Sequence, residues 1–254
     1  MAFCIAFLYV WVLIFFVLTI AVYLFRFQSS LYYLWGFRNN FRFYIVFFVF
    51  TLFLKMEDIK GIADTAKKII DIYYQMPDRP KGRGAEVSIS VACFVPKPFT
   101  PFQWEPQDTA DMLIEKQKVL LSSTTSKKIS ISYHQSDTSV LEGVLARGDR
   151  RLGEVIYSAW QKGCKFDSWD EFFDFSKWRE AFNECELTTE FYANRRRDFD
   201  EILPWDHMDY GIRKDFLVEE NKKAHESETT PHCRIKCSAC GANKLNGGKC
   251  DARS

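Results

Sequence analysis

Acidic residues are missing from the first 55 positions of the chain: there is no Asp and no Glu among them. Arg26, Arg38, Arg42 and Lys55 are the only charges there, and the same stretch holds 13 of the 24 Phe. Ala2–Phe25 carries no charge at all. At about 1.5 Å per helical residue it is long enough to cross the hydrocarbon core of a bilayer. It lacks both a polar leading region and a small-residue cleavage site, so a signal peptide fits poorly. Basic residues follow the run and none precedes it, which would place that side in the cytoplasm. Phe43–Leu54 is a second apolar run, too short to span. This N-terminal stretch is expected to be helical, and two origins stay open. It is either a membrane anchor through residues 2–25 or an out-of-frame segment, because AT-rich DNA read in a wrong frame yields Phe, Ile, Leu and Tyr without acids.

A net charge is also lacking: 34 basic residues against 33 acidic leave +1. Bulk electrostatics therefore give no reason to expect nucleic acid. A secreted disulfide framework is absent too. Cys4, Cys93, Cys164 and Cys185 are scattered, and the other four cysteines crowd into the last 22 residues, a distribution that suits metal binding. From Met56 onward the composition is that of a cytosolic protein.

The body alternates helix and strand. In residues 57–74, Ile59, Ile62, Ala63, Ala66, Ile69, Ile70 and Tyr73 recur at helical spacing. Val87–Val95 alternates strictly, with Val87, Ile89, Val91, Cys93 and Val95 on one face and Ser88, Ser90, Ala92 and Phe94 on the other. Ile129–Tyr133 repeats the design with Ser130 and Ser132. A helix over Thr109–Leu121, capped by Asp108, lies between them, and another capped by Asp137 follows, with Val140, Leu141, Val144 and Leu145 inward and Gly148 at its end. This order predicts a parallel sheet with helical crossovers. Parallel strands are usually apolar on both faces. A Ser/Ala face takes little volume and suits the inside of an α/β barrel, where it leaves room for a ligand; a solvent-facing antiparallel edge is the alternative. Ser90, Ser132 and His134, which shares the face of Ser132 by parity, are the candidate cofactor contacts, because barrel active sites lie at the carboxyl ends of strands. A histidine merely bonded into its loop explains His134 equally well.

Arg147-Gly-Asp-Arg-Arg151 could grip an anion, or pair with Asp149 and Glu154. Leu152, Val155, Ile156, Ala159 and Trp160 form a helical stripe stopped by Gly163. Residues 164–220 are rich in Trp and Phe, expected as the core of short helices forming a cap, with Ser176 opening one. Leu203–Asp209 is a turn bearing two carboxylates and an imidazole. Cys233, Cys237, Cys240 and Cys250 follow the spacing C-x3-C-x2-C-x9-C, with nearby glycines. Four thiolates suit a structural zinc site first and an auxiliary iron–sulfur cluster second; free thiols on a tail are the plain alternative. The boundaries expected are 1–55 apolar, 56–150 barrel part, 151–230 aromatic cap and 231–254 cysteine tail.

From Met56 on, Glu57-Asp-Ile-Lys-Gly-Ile62, Ser90–Pro98 with Thr100-Pro-Phe-Gln-Trp104, Ala146-Arg-Gly-Asp-Arg-Arg151, Lys165-Phe-Asp167 with Trp169-Asp-Glu171, Ile202-Leu-Pro-Trp-Asp-His207 and Cys237-Ser-Ala-Cys-Gly241 are segments of a recognisable pattern. In them the chain resembles the C-terminal part of a bacterial radical S-adenosylmethionine (SAM) family with an N-terminal cobalamin-binding-like domain. The resemblance implies a partial (βα) barrel of α/β class with a helical, Cys-rich cap. In the full-length family it implies a [4Fe-4S] cluster and SAM, and hence a partner: the missing N-terminal half that carries the cluster ligands. Two departures stand out. Phe50–Lys55 does not match the loop expected before the first helix, and Phe99 stands where the family pattern has His. Cys233-x3-Cys237-x2-Cys240 has the spacing of a SAM-cluster motif, but only 14 residues follow Cys240 and no barrel can be built from them. The polypeptide alone is expected to be inactive. Two other functions stay open: a metal-stabilised RNA-binding module using Arg234, Lys236, Lys244, Lys249 and Arg253, and a membrane-tethered protein.

Overall fold

Two sequence periods, one of about 3.6 residues and one of 2, produce the alternation of helix and strand seen in the computed structural model, which describes residues 42–50, 55–79 and 84–247. The elements are β1 (Arg42–Phe50), α1 (Met56–Gln75), β2 (Glu86–Cys93), α2 (Ala110–Ser122), β3 (Ile129–Tyr133), α3 (Ser136–Arg147), α4 (Leu152–Gln161), α5 (Phe175–Glu184), α6 (Thr189–Ala193) and α7 (Lys214–His225). A short 3₁₀ turn covers Ala242–Asn246. The class is α/β, and the described residues from Phe43 onward belong to one compact unit.

Strand order is β1-β2-β3. β2 and β3 run parallel, with Val87 opposite Ile129 and Val91 opposite Tyr133, so α2 is a crossover helix. Among the described residues the sheet has three strands and does not close into a barrel. Val87, Ile89, Val91, Cys93 and Ile129 are buried against Ile59, Ala66 and Ile70 of α1 and Leu113 and Leu120 of α2. Each such aliphatic side chain contributes about 1.5–3 kcal/mol when fully buried.

A second core joins Val140, Leu141 and Val144 of α3 to α4, α5 and α6 through Leu152, Val155, Ala159, Trp178, Phe182 and Tyr192. A third gathers Trp104, Leu203, Trp205 and Leu217. The cap therefore packs on α3 and on the loop after β2.

Several expectations need correction. Residues 42–50 form a strand where an apolar helix was expected, because the run is rich in β-branched and aromatic residues; Ala2–Phe25 lies outside the described residues. Among those described, no helix is long and apolar enough to cross a membrane. The cap of α2 is Thr109, whose hydroxyl accepts the Met112 N–H at 3.3 Å, while Asp108 is drawn into a buried ion pair. The N-cap of α3 is Gln135, which makes no side-chain cap bond, and Asp137 sits in the first turn. β2 ends at Cys93, two residues early, where Pro96 stops pairing. Leu145, Ile156, Trp160 and Phe191 are exposed because their helices each bury only one narrow stripe, and Phe166, Trp169 and Phe172 are exposed in the turns between α4 and α5 rather than in the core of short helices.

Candidate functional site at the carboxyl ends of the strands

β2 and β3 deliver their carboxyl ends to one edge, where α2 and α3 begin. The 94–108 loop leaves β2 there. Its prolines at 96, 98, 101 and 106 exclude regular structure, so side chains must satisfy its backbone. Gln107 does much of this: its Nε2 donates to Phe94 O at 3.0 Å and to Ser139 O at 2.8 Å, tying the end of β2 to α3. Gly143 makes room, since a Cβ there would lie 2.2 Å from Gln107 Oε1. Gln117 Nε2 donates to His134 O at 2.9 Å and ties α2 to the end of β3. Cys93 is buried between them, and desolvation pushes its thiol above the usual range.

Charged groups are sunk in the same region. Lys116 Nζ meets Asp108 Oδ2 at 2.5 Å, with both side chains almost wholly enclosed. The Glu105 carboxylate is enclosed too; its Oε1 accepts Asn221 Nδ2 at 3.0 Å, contacts His225 Nε2 at 2.9 Å and pairs with Arg196 at 3.3 Å. Gln103 Oε1 accepts the Trp205 indole N–H at 2.8 Å and the Phe99 N–H at 2.9 Å. Phe99 adopts a left-handed backbone, φ 59°, and its ring stacks on Tyr210 with centroids 4.3 Å apart.

Arg147 is fully buried and donates to Ala193 O at 2.8 Å and Arg195 O at 3.2 Å. Burial first, then the charges of Arg197 and Arg195, pull its pKa down to about 9, so it remains a cation at neutral pH. Arg197 donates back to Arg147 O at 2.8 Å and lies over the Trp205 ring. Arg151 pairs with Asp149 at 2.7 Å. Arg147 is spent on backbone carbonyls and Arg151 on a carboxylate, and the arginines of 147–151 do not converge as an anion grip.

The candidate cofactor contacts lie on the sheet face turned away from α1 and α2. Ser88 faces Ser130 and Ser90 faces Ser132 across the strands. Ser130 Oγ donates to Ser88 Oγ at 2.9 Å, and Ser132 Oγ reaches Ile89 O at 3.4 Å. Ser90, Ser130, Ser132 and His134 are exposed, so this small polar face is bare. His134 lies one residue past β3, its backbone N–H donating to Val91 O at 3.2 Å. In the turn at 203–209, Asp206 accepts the Leu203 N–H at 3.0 Å and Asp209 the Gly211 N–H at 2.7 Å. Both carboxylates thus hold local backbone.

Cys233 and Cys237 are exposed and Cys240 is half-buried, all as free thiols. Cys250 lies outside the described residues. Among those described, no group of three or more His, Cys, Asp or Glu side chains is gathered to hold a metal ion. The tail is nonetheless pinned. Arg213 N–H donates to Cys240 O at 2.9 Å, and Gly241, at φ 94°, sits where a Cβ would meet Gly211 O at 2.4 Å. Between the tail and α7 lies a cleft of about 630 Å³ reached by Arg213, Glu219, Lys223, Lys236 and Cys237. The buried Glu105, Arg147 and Lys116–Asp108 clusters were not foreseen from sequence. The polar pattern of Gln103-Trp-Glu-Pro-Gln-Asp108, unusual for a loop rich in proline, is a signal that could have found Glu105 and Asp108.

No protein-family model, no curated protein and no solved structure matches this chain.

Proposed function

We propose that this chain contributes the last strands of an α/β barrel, with its cap, to a radical SAM enzyme whose cluster-binding half is a separate part. The observation that carries the proposal is the bare serine face. β2 and β3 are parallel neighbours, helices cover one side, and the other side presents Ser90, Ser130 and Ser132 exposed and Ser88 half-buried. A parallel sheet is normally covered on both faces, and a face of such small volume suits the lining of a barrel that holds a ligand. Ser90, Ser132 and His134 would then face SAM or substrate. The family resemblance of the sequence supports the same conclusion.

The residues present do not fit the SAM-cleaving cluster. Cys233, Cys237 and Cys240 lie in the tail beyond α7, with no barrel strand following them in the chain, so no step through that cluster is assigned to this chain. For the tail, the donor chemistry of Cys233, Cys237, Cys240 and Cys250 favours zinc, with an auxiliary iron–sulfur cluster second.

Incubation of the purified chain with iron, sulfide, reductant and SAM tests the assignment. No 5'-deoxyadenosine is expected from the chain alone, and its formation would overturn the division of labour. Zinc content supplies a separate readout. One zinc per chain, released when Cys237 and Cys240 are changed to Ser, is the expected result.

A further inference from the structure

α4 is apolar on two sides. Leu152, Val155 and Ala159 face the cap core, while Gly153, Ile156, Tyr157 and Trp160 make a second stripe at i, i+3, i+4 and i+7. That stripe is open: Ile156 is 47 % exposed, Tyr157 56 % and Trp160 55 %. The Tyr157 and Trp160 rings stack at 5.9 Å between centroids. Polar residues are confined to the third side, where Ser158 bonds Glu184 at 2.6 Å. A helix that is apolar on more than its core face is ordinarily covered by something.

The turn after α4 adds to the surface. Gly163, at φ 91°, ends the helix, and Phe166, Trp169 and Phe172 follow at 71 %, 61 % and 56 % exposure. Phe166 holds a left-handed backbone, φ 60°, with its ring in solvent. Five rings of roughly 200 Å² each, a little over half exposed, leave about 600 Å² of aromatic surface. Summed over helix and turn, that approaches the ~800 Å² per partner of a specific interface.

We infer that the outer face of α4 is the interface of a two-fold symmetric dimer of this chain. The stripe is self-complementary in antiparallel register. A two-fold axis between Ile156 and Tyr157 sets these residues against each other and places Gly153 of one copy opposite Trp160 of the next. Gly153 carries no side chain and its Cβ position is open space, so that register leaves room there for the other copy's ring. Each large indole thus fills the gap over the other copy's glycine, as an isologous contact requires. This inference does not depend on the function proposed above.

Sedimentation of the full chain, over a range of concentrations, tests it. A monomer–dimer equilibrium is expected, weakened about 30-fold or more by Tyr157→Glu with Trp160→Glu, since buried Trp and Tyr dominate such interfaces. Both side chains are exposed, so circular dichroism of this variant should match the wild type. Gly153→Ala should raise Tm, by its helix propensity, while weakening the dimer. Mixed Gly153→Cys and Trp160→Cys chains should cross-link to each other, and neither to itself. A chain that stays monomeric overturns the inference, as does an association unchanged by the double variant. So does capture of the wild-type monomer by phosphatidylcholine vesicles through these rings, which would assign the face to lipid.

Discussion

Gly143→Ala should destabilise the protein, although alanine is the better helix former. Gly143 is buried in α3, and the new Cβ would stand 2.2 Å from Gln107 Oε1 and 2.9 Å from its Cδ. The amide must swing away, and it leaves two hydrogen bonds behind, to Phe94 O and Ser139 O. Each lost bond costs about 1 kcal/mol net, and a carbonyl left buried and unpaired adds about 1–3 kcal/mol. The gain in helix propensity offsets roughly 1 kcal/mol, so the expected net loss is about 2–4 kcal/mol. Gly61→Ala in α1 is the control. Nothing lies within 4 Å of its Cβ, and it should gain up to about 1 kcal/mol. Urea midpoints at constant m-value give both numbers. The decisive arm is the background. With Gln107→Ala already in place the clash has no partner, and Gly143→Ala should change sign and stabilise. If Gly143→Ala stabilises the wild type as Gly61→Ala does, or if its effect simply adds to that of Gln107→Ala, the reasoning is refuted.

Lys116→Met should cost about 3–5 kcal/mol by leaving Asp108 buried without its cation, and adding Asp108→Leu should recover most of it; denaturant unfolding of the two variants measures both. Glu201 is held below the usual carboxylate range first by its bonds to Arg195, at 2.6 and 2.8 Å. Its folded pKa is depressed, so its contribution is complete above the ordinary value near 4.5 and is lost as pH falls through the lower folded value. Thermal melts of Glu201→Gln should therefore fall less steeply below pH 4.5 than those of the wild type.

Much of the framework was legible in the sequence because each element carries its own period. α1 and β3 fall where the spacing of Ile59–Tyr73 and Ile129–Tyr133 puts them, and the parallel pairing follows from a 13-residue helix lying between two strands. The aromatic cap was less legible. Trp178 and Trp205 are buried, whereas Trp160 and Trp169 are exposed. Composition alone does not separate a ring facing a neighbouring helix from one facing away. The buried charges were hidden for a different reason. Glu105 meets Asn221 across 116 positions and Arg147 meets Ala193 across 46, distances in sequence at which no periodicity operates. The serine pattern of β2 and β3 fixed which face would be polar, but only the packing of α1 and α2 on the other side leaves it bare.

The distribution of polar cost bears on function. The protein buries Glu105, Asp108, Lys116, Arg147 and Asn221 around one irregular loop. Such pairs add little net stability compared with apolar side chains of the same size. What they do here is fix geometry: Gln107 sets α3 against the end of β2, Gln117 sets α2 against the end of β3, and Arg197 N–H donates to Trp104 O at 2.8 Å to seat the cap. All three act at the carboxyl edge of the sheet, adjoining the bare serine face. Rigid positioning at that edge is what a ligand site on an α/β sheet requires. Loosening it through Gln107 should therefore disturb Ser132 and His134 before it unfolds α1, and hydrogen exchange at those amides would register the order.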